Sequence, residues 1–598
     1  MVFILRLLKP FLLIFCVLLL SNCTKVSPES HVQINKKLAS PYTMPAGAYL
    51  ALAKNQVGDE KQSLLLMAAG RFIYEGQWRQ GRDILAQIGP LSAERTIEKN
   101  LLLAKVDLMR EQPKAALAKL ANVREIQHLP IYYQAQYHEM LASAYQSTGN
   151  ATESVMERIK LEALLPDEAA KANNRRALWL SLTTLPLPEL DALAVEVSND
   201  SLLKGWVELA LISRKKYDNP QAMLADVEAW QVQYPHHPAN YILPQPIDSI
   251  RRRMYPAPRQ IALLLPLSGP LAGPGMAVKD GFMAAFEASG RSGFVKVREY
   301  NTNAADSAAL YEQALADGAD YVVGPLSKAD VALVAPLDHP VPTLLLNDIQ
   351  TRLRDNAYLF GLSPTSEARQ VAAKARKQGH TRALVIAPAG AWGDDIVNAF
   401  STQWRANGGD VVDTLHYGPH DDMTKNIRTL LHVSESLDRE KSLQHVLGNH
   451  VETTPRRRQD IDMIFLVAYP STARQVMPLL KYYYAGDLPV YATSSVYTGS
   501  ANSMKDRDLD GIIFCDMPWV FNHQMGSRNW PEQFNSYNRL YALGLDSYAL
   551  SNQLNQLLLF PALGVSDNSG VLYLSDKQQI ARILVFGQFQ QGLAHQLS

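Results

Sequence analysis

The chain has 598 residues, more than a single hydrophobic core normally holds, so two or more domains are expected. Hydrophobic residues make up 47% of the chain and charged residues 19%, a globular composition that excludes a disordered, collagen-like or polytopic membrane protein. Lysine plus arginine and aspartate plus glutamate number 58 each, so the chain lacks the excess of cations on which nucleic-acid binding usually draws, and nucleic acid is not expected as a partner.

The N-terminus has the pattern of an export signal. Arg6 and Lys9 precede an uninterrupted apolar run, Phe11–Leu20, which is too short to span a bilayer as a helix. Cys23 ends the string LSNC, which resembles the lipobox of bacterial lipoproteins, where the cysteine is acylated and becomes the mature N-terminus. Asn22 stands where a small residue is usual, so a plain signal peptide cut nearby, or an uncut signal anchor, is the alternative.

Lipidation at Cys23 leaves a short tether before the first domain. Thr24 follows the cysteine, and by resemblance to the sorting rules of Gram-negative lipoproteins the absence of aspartate there favours the outer membrane, with the chain facing the periplasm. Cys16 is removed with the signal, so Cys515 is the thiol that remains. It adjoins the apolar stretch Gly511–Phe514 and is predicted to be a small buried hydrophobic residue.

The region 41–235 has apolar side chains three and four positions apart throughout, which predicts helices. Similar turns begin at Glu75, Glu111 and Thr148, 36 and 37 residues apart, and each separates the two helices of a predicted hairpin. This spacing is close to the tetratricopeptide period, and a weaker fourth pair follows over Leu202–Tyr234. We therefore predict an all-α, tetratricopeptide-like N-terminal domain, with an irregular helical bundle as the alternative.

The rest of the chain has a different rhythm. Proline-rich residues 236–258 break the helical period and are predicted to be a linker. In 259–598 short β-type runs alternate with helical segments, which predicts an α/β domain of parallel sheets covered by helices, in two lobes with a cleft between them. The predicted division is signal peptide 1–22, tether 23–40, helical domain 41–235, linker 236–258 and two-lobed domain 259–598. The strand candidates are Ile261–Leu267, Val295–Tyr300, Tyr321–Val323, Thr343–Leu346, Ala383–Ala387, Val411–Tyr417, Met463–Ala468, Val490–Ala492 and Gly511–Phe514.

The first strand and its turn read IALLLPLSGPLAGPGMAVKDGF from Ile261 to Phe282, and YVVGPLSKAD follows from Tyr321. These strings resemble the type I periplasmic solute-binding fold, in which the loop after the first strand brings backbone amides and a helix N-terminus to the cleft, an environment suited to an anionic group. The glycines form neither GxGxxG nor a P-loop, so no cofactor is predicted. The predicted cleft-lining residues are Ser268, Gly269, Ser327, Ser363 and Ser494.

Longer strings carry a more specific resemblance. They read PRRRQDIDMIFLVAYPSTARQVMPLLKYYYAGDLPVYATSSVY from Pro455, DLDGIIFCDMPW from Asp508, RLYALGLDSYAL from Arg539 and WQVQYPHHPA from Trp230. Together they resemble the LpoA family, outer-membrane lipoproteins that activate a class A penicillin-binding protein, over nearly the whole chain. The resemblance implies a regulator of peptidoglycan synthesis, not an enzyme, that binds this bifunctional synthase and stimulates peptide cross-linking.

A second class of function uses the same fold. A periplasmic receptor for a small solute, such as an amino acid or a muropeptide, would bind its ligand in the cleft, with charged and hydroxyl groups converging at the hinge. The predicted outer-membrane location and the additional helical domain are not typical of a receptor that serves a transporter. The sequence leaves the small-molecule ligand of the cleft unidentified.

The sequence has few patterns that would indicate an enzyme or a metal site. GxSxG and HExxH are absent from the sequence, and no catalytic residue is predicted. His416 and His420 are four residues apart, but Gly418 and Pro419 break any helix between them, which favours a solvated turn over a metal site.

A run of three arginines has two interpretations. Arg456, Arg457 and Arg458 precede a strand candidate. They either contact an acidic patch of the partner protein or pair locally with Asp460 and Asp462 to support the lobe.

Overall fold

The computed structural model describes residues 40–197, 200–215, 220–243, 254–291, 293–447, 456–523, 530–534, 536–561 and 564–597. The predicted signal, the lipidation site Cys23 and the tether up to residue 39 lie outside the described residues. Within the described ranges, no helix combines the length and the apolar character needed to cross a membrane.

The N-terminal half is helical, as the periodicity predicts. Its helices pack as successive antiparallel hairpins, of which α2 with α3, α4 with α5 and α6 with α7 are the three predicted pairs. The helices are α1 Ala46–Ala53, α2 Gly58–Tyr74, α3 Trp78–Leu85, α4 Ala93–Met109, α5 Pro113–Leu120, α6 Ile131–Ser147, α7 Ala151–Glu162, α8 Glu168–Thr184, α9 Leu187–Glu196, α10 Ser201–Arg214 and α11 Pro220–Gln233.

The same turn closes each of the three hairpins. Gly76, Glu111 and Gly149 have left-handed backbone conformations, with φ of 81°, 58° and 83°. In each turn the next residue's N–H bonds to a carbonyl five residues earlier in the chain, over 2.8 to 2.9 Å. Because the turns are alike in conformation as well as in spacing, the hairpins stack as repeats.

The C-terminal half contains two sheets in two lobes. The sheet of the first lobe is parallel, in the order β2-β1-β3-β4-β5, and that of the second has the order β15-β14-β10-β9-β8-β6-β7, in which β14 runs antiparallel to both of its neighbours, β10 and β15. A third, antiparallel sheet has the order β11-β12-β13. The strands are β1 Gln260–Leu265, β2 Lys296–Asn301, β3 Tyr321–Val323, β4 Thr343–Leu345, β5 Ala357–Leu359, β6 Arg382–Pro388, β7 Asp410–Tyr417, β8 Met463–Leu466, β9 Val490–Ala492, β10 Ile513–Asp516, β11 Val565–Asp567, β12 Gly570–Leu574, β13 Ile580–Ile583, β14 Val585–Gln590 and β15 Leu593–Gln596.

Helices cover the sheets and link the lobes. The longest, α21, packs along α12 of the first lobe, and the backbone of Gly281 approaches that of Tyr541 so closely that a Cβ would lie 1.9 Å from a carbonyl oxygen. The helices are α12 Ala272–Ala288, α13 Ser307–Ala316, α14 Lys328–Val334, α15 Pro364–Lys377, α16 Ala391–Ala406, α17 Met423–Leu430, α18 Val433–Leu447, α19 Pro470–Tyr482, α20 Pro518–Asn522 and α21 Tyr537–Leu559. The chain passes between the lobes after β5, after β10 and between β13 and β14, so the α/β two-lobed fold that the resemblance predicts is confirmed.

The helical half contacts both lobes. Towards the first lobe, Trp179 of α8 stacks on Phe560 at the end of α21, with ring centroids 5.8 Å apart, inside one continuous hydrophobic core. Towards the second lobe, the indole N–H of Trp78 donates to the carbonyl of Gln378, which follows α15. The two halves are therefore packed against each other at two separate places.

Part of the proposed linker is also packed. A short turn, Pro238–Tyr241, follows α11. His237 is 6% exposed, its Nε2 lies 2.8 Å from the Leu202 carbonyl, and its Nδ1 accepts the Ala239 N–H at 3.1 Å. Burial lowers the pKa of His237. This side chain fastens the turn to α10.

Candidate functional site

A cavity with a volume of about 920 Å³ lies between the lobes. Its walls are formed where strands of both sheets end and the following helices begin, as expected for an α/β cleft. A cleft of this size can enclose an organic ligand.

The wall from the first lobe combines apolar and amide groups. Leu326 and Leu346 are buried, and the Asn347 amide donates to the Leu326 carbonyl at 2.9 Å. Ser327 is the N-cap of α14, since its hydroxyl accepts the Asp330 N–H at 3.1 Å and donates to the Asp330 carboxylate at 2.6 Å. Helix capping therefore accounts for the Ser327–Asp330 pair without a catalytic role.

The wall from the second lobe is aromatic. Trp392, in the first turn of α16, stacks on Tyr469, which immediately precedes α19. The ring centroids are 4.8 Å apart and the planes are 4° from parallel. Both residues line the cleft and give it a flat apolar surface.

A buried carboxylate stands at the back of the cleft. Glu367 of α15 is 6% exposed and accepts the Ser494 N–H at 3.0 Å. Burial raises the pKa of Glu367, against the opposing charge of Arg582. The Ser494 N–H is thus already bonded within the chain.

A buried ion pair lies beneath the same wall. The Arg539 guanidinium donates to both carboxylate oxygens of Asp516, at 2.9 and 2.6 Å, and to the carbonyls of Ser494 and Tyr497, at 2.9 and 3.0 Å. Burial lowers the pKa of Arg539, but Asp516 together with Glu367 and Tyr497 outweighs this effect, and the net shift of the pKa is upward. Arg539 is therefore a cation that joins α21 to the end of β10 and the segment after β9, and its charge is neutralised in place.

A short segment of the chain crosses the mouth of the cleft. Glu532 accepts hydrogen bonds from the Ser471 hydroxyl and N–H, at 2.7 and 3.4 Å, at the start of α19 in the second lobe. Trp530 lies against the backbone of Gly273 in the first lobe, where a Cβ would come within 3.2 Å of the indole ring. A carboxylate of the protein itself thus occupies a helix N-terminus at which a ligand carboxylate could otherwise bind.

The predicted cleft residues are only partly brought together. Ser327 and Ser494 line the cavity. Ser363 caps α15, accepting the Ser366 N–H at 3.4 Å, and Ser268 accepts the Asn301 amide at 2.9 Å, while Gly269 takes a left-handed conformation in the same loop. The described residues that line the cavity do not include these three.

Several cleft residues were not singled out by the sequence. Three of them stand at or next to the first turn of a helix that follows a strand of the α/β pattern, and this position is the signal that could have found them. The residues are Glu367, Trp392, Tyr469, Glu532 and Arg539.

Two of the three consecutive arginines support the lobe. Arg457 is 8% exposed and donates to the Tyr484 carbonyl at 3.0 Å and to Asp487 at 3.2 Å. Arg458 donates to Asp460 at 2.8 Å and lowers the pKa of that carboxyl to about 2. Local pairing, the second interpretation, describes these two guanidinium groups, and we do not propose them as partner contacts; Arg456 is exposed.

His416 is exposed in strand β7, and His420 is exposed in the turn that follows this strand. His416 Nδ1 lies 3.5 Å from Asp394, and Asp422 caps α17. In the ranges that the structure describes, no group of three or more histidine, cysteine, aspartate or glutamate side chains is placed to hold a metal ion. Cys515 is fully buried, as predicted, and burial raises the pKa of its thiol, so the thiol stays protonated.

The sequence was compared with known families, proteins and structures. The family model described as "LppC putative lipoprotein" matches residues 42–592. The penicillin-binding protein activator LpoA of Vibrio antiquarius is 26% identical over 556 residues, 90% of this chain and 92% of the relative, and that of Photobacterium profundum is 26% identical over 599 residues, 98% and 96% of the two chains. A crystal structure of Haemophilus influenzae LpoA is 22% identical, covers 94% of this chain and 99% of its own, and has a TM-score of 0.49.

Proposed function

We propose that this chain, which belongs to the LppC family of lipoproteins, is a regulator of peptidoglycan synthesis that binds and activates a class A penicillin-binding protein. The observation that supports this proposal is that relatives named penicillin-binding protein activator are similar to this chain along nearly the whole length of both chains. A similarity of this extent includes both the helical repeats and the two-lobed domain, and not the binding-protein fold alone.

The proposed location is the outer membrane, with the folded chain in the periplasm. Membership of a lipoprotein family and the string LSNC that ends at Cys23 support a lipid anchor. A chain held in this way reaches a synthase in the inner membrane across the peptidoglycan layer. Residues 24–40 then set how far the domains extend from the membrane surface.

Activation requires a difference in affinity. A protein that binds two conformers of a synthase equally well shifts nothing, however tightly it binds. The proposed regulator therefore contacts the active conformer of the synthase more tightly than the resting one, and the cross-linking reaction speeds up as the active population rises.

The interior of the cleft favours regulation over solute capture. The Ser494 N–H is bonded to Glu367, the Ser471 N–H and hydroxyl are bonded to Glu532, and the Arg539 charge is paired with Asp516. A free carboxylate ligand would have to displace one of these internal groups before it could bind there.

The second candidate is a receptor for an amino acid or a muropeptide. The observation that favours it is the cavity of about 920 Å³ with its stacked aromatic wall. Calorimetry with amino acids and muropeptides tests it directly, and binding at low micromolar concentrations would support it.

Reconstitution tests the proposed function. The chain from Lys25 onward is added to a purified class A penicillin-binding protein with lipid-linked substrate, and the cross-linked product is measured. We expect more cross-linked product and direct binding of the two proteins. No binding and no change of product, under conditions in which the synthase is active, would contradict the proposal.

A further inference from the structure

A second groove lies at the junction of the helical half and the second lobe. We name it the junction groove and define it by Trp78, Arg79 and Arg110 on the helical side and by Leu480, Lys481 and Val490 on the lobe side. Its volume is about 580 Å³, and it is separate from the cleft between the lobes. Neither half of the chain forms this groove alone.

The two walls are held in a fixed relation by direct bonds. Besides the Trp78 indole, the Arg376 guanidinium donates to the Glu75 carbonyl at 3.1 Å, and Lys374 pairs with Glu111. At Gly379, φ is 84° and a Cβ would overlap the Trp78 ring, so the turn after α15 fits the indole closely. A groove with preset walls loses little ordering entropy when a partner binds.

The exposed charges of the groove are positive. Arg79, Arg110 and Lys481 are exposed. Arg79 Nη1 lies 3.4 Å from His380, which is neutral because burial lowers the pKa of its ring to about 4, and Arg110 is 3.7 Å from Asp107. Among the described residues, Arg79 and Lys481 form no ion pair, and Arg110 has only the longer contact with Asp107, a carboxylate that also pairs with Lys119.

The acidic groups of the groove are already engaged. The Asp487 carboxylate accepts a hydrogen bond from Arg457 Nε at 3.2 Å. An Asp510 carboxylate oxygen accepts the Gly592 N–H at 2.8 Å. In the part of the chain that the structure describes, three cations and two carboxylates line the groove, and one of the carboxylates, Asp487, is paired with Arg457 outside it. The potential presented to a partner is therefore positive.

The floor between these charges is apolar. Leu480, Met477 and Val490 are buried, and Met109 is half-buried at the helical edge. Tyr482, which follows Lys481 at the end of α19, has 73% of its surface exposed. Arginine, methionine and tyrosine are enriched in protein interfaces, so this combination of groups favours a protein partner.

We propose that the junction groove docks an acidic segment of the penicillin-binding protein, with carboxylates against Arg79, Arg110 and Lys481 and an apolar side chain on Leu480 and Val490. The proposal rests on the proposed function and names the surface that performs it. Because the groove needs both halves, the docked segment also ties the helical repeats to the lobe.

Charge reversal tests the docking surface. The combined variant Arg79→Glu, Arg110→Glu and Lys481→Glu is compared with the wild type by surface plasmon resonance against the purified synthase, at low and at physiological salt. We expect affinity to fall at least tenfold and the salt dependence of binding to weaken, because attraction between exposed charges is screened by salt.

A matched control carries the same change of charge elsewhere. Lys54→Glu, Lys296→Glu and Arg428→Glu alter three exposed cations outside the groove and should leave affinity near the wild-type value. The neutral set Arg79→Gln, Arg110→Gln and Lys481→Gln should give an intermediate loss. Circular dichroism and thermal melting establish that each variant is folded. If the charge-reversed set does not fold, the affinity of the neutral set for the synthase tests the proposal instead.

Failure of this proposal and failure of the proposed function are distinguishable. If the wild type activates the synthase and all three variant sets bind as tightly, the junction groove is not the docking surface. If the reversed set instead loses binding to purified peptidoglycan while binding the synthase normally, the groove serves a polymer and the proposal is overturned. If the wild type itself neither binds nor activates, the proposed function fails.

Discussion

Asp567 is a carboxyl group that the fold keeps protonated at neutral pH. Burial, together with the neighbouring charge of Asp546, raises the pKa of Asp567 to about 8. An aspartate in an unfolded chain has a pKa of about 4. The folded state therefore binds an extra proton between these two values, so the stability from this group is present at low pH and is lost as the pH rises through about 8.

We expect Asp567→Asn to remove this loss, because an amide keeps the shape of the protonated carboxyl and has no charge to develop. Urea titrations at about pH 5, 7 and 9 measure the free energy of unfolding, which should fall with pH more steeply in the wild type than in the variant. Asp576→Asn changes an exposed aspartate in the same region and should follow the wild type. Equal pH slopes in the wild type and in Asp567→Asn would contradict the prediction.

The individual residues that line the cleft were the hardest features to predict from the sequence. Ser327 and Ser494 follow strands that the sequence indicates, so placing them at the cleft needs only the parallel fold. Glu367 and Arg539 are 172 positions apart, and both act on the segment around Ser494 through its N–H and its carbonyl. Periodicity describes neighbours within one element, and it does not report a bond between elements that are distant along the chain.

At the scale of elements, the turns of the helical repeats test why glycine stands where it does. Gly149 has φ of 83°, and a Cβ added there would meet no atom within 4 Å. Gly149→Ala therefore isolates the backbone cost of the left-handed conformation, and we expect about 1–2 kcal/mol of destabilisation in urea unfolding. Gly47→Ala is the control, since Gly47 lies in α1 with the same open space and no left-handed φ, and it should not destabilise. A neutral Gly149→Ala would contradict the argument.

The elements that the sequence predicted best are long or wholly apolar. The nine strand candidates correspond to the strands β1 to β4 and β6 to β10. β5 was not among the candidates, although it is as short and as buried as β3 and β4. β11 to β15 were not predicted because they combine few buried side chains with partly or fully exposed ones in short antiparallel pairs. A buried parallel strand is a run of apolar residues, whereas a short edge hairpin has no comparable signature.

At the scale of the molecule, the sequence separates two halves by their periodicity but does not show how they meet. The change from helical repeats to alternating strands and helices is visible in the printed sequence. The stacking of Trp179 on Phe560 and the contact of Trp78 with the turn after α15 join residues about 300 to 380 positions apart. Because these contacts reach one lobe each, the helical half spans the two bodies whose relative motion would open or close the cleft.

This bridge makes a prediction about the separation of the lobes. The double variant Trp78→Phe and Glu111→Lys removes the indole donor and reverses one charge of the Lys374 pair, while an aromatic ring still fills the core of the helical half. We expect the lobes to sample a wider range of separations, since one of the two attachments is weakened while the core around Trp179 persists. Spin labels at cysteines replacing Lys296 in the first lobe and Arg428 in the second report this range by pulsed electron resonance, and buried Cys515 stays unlabelled. Lys114→Glu alters an exposed charge beside the same turn and should leave the distance distribution as in the wild type. If the distance distribution were equally narrow in the double variant, the hinge segments alone would fix the separation of the lobes. The helical half would then pack against the two-lobed domain without restraining its motion.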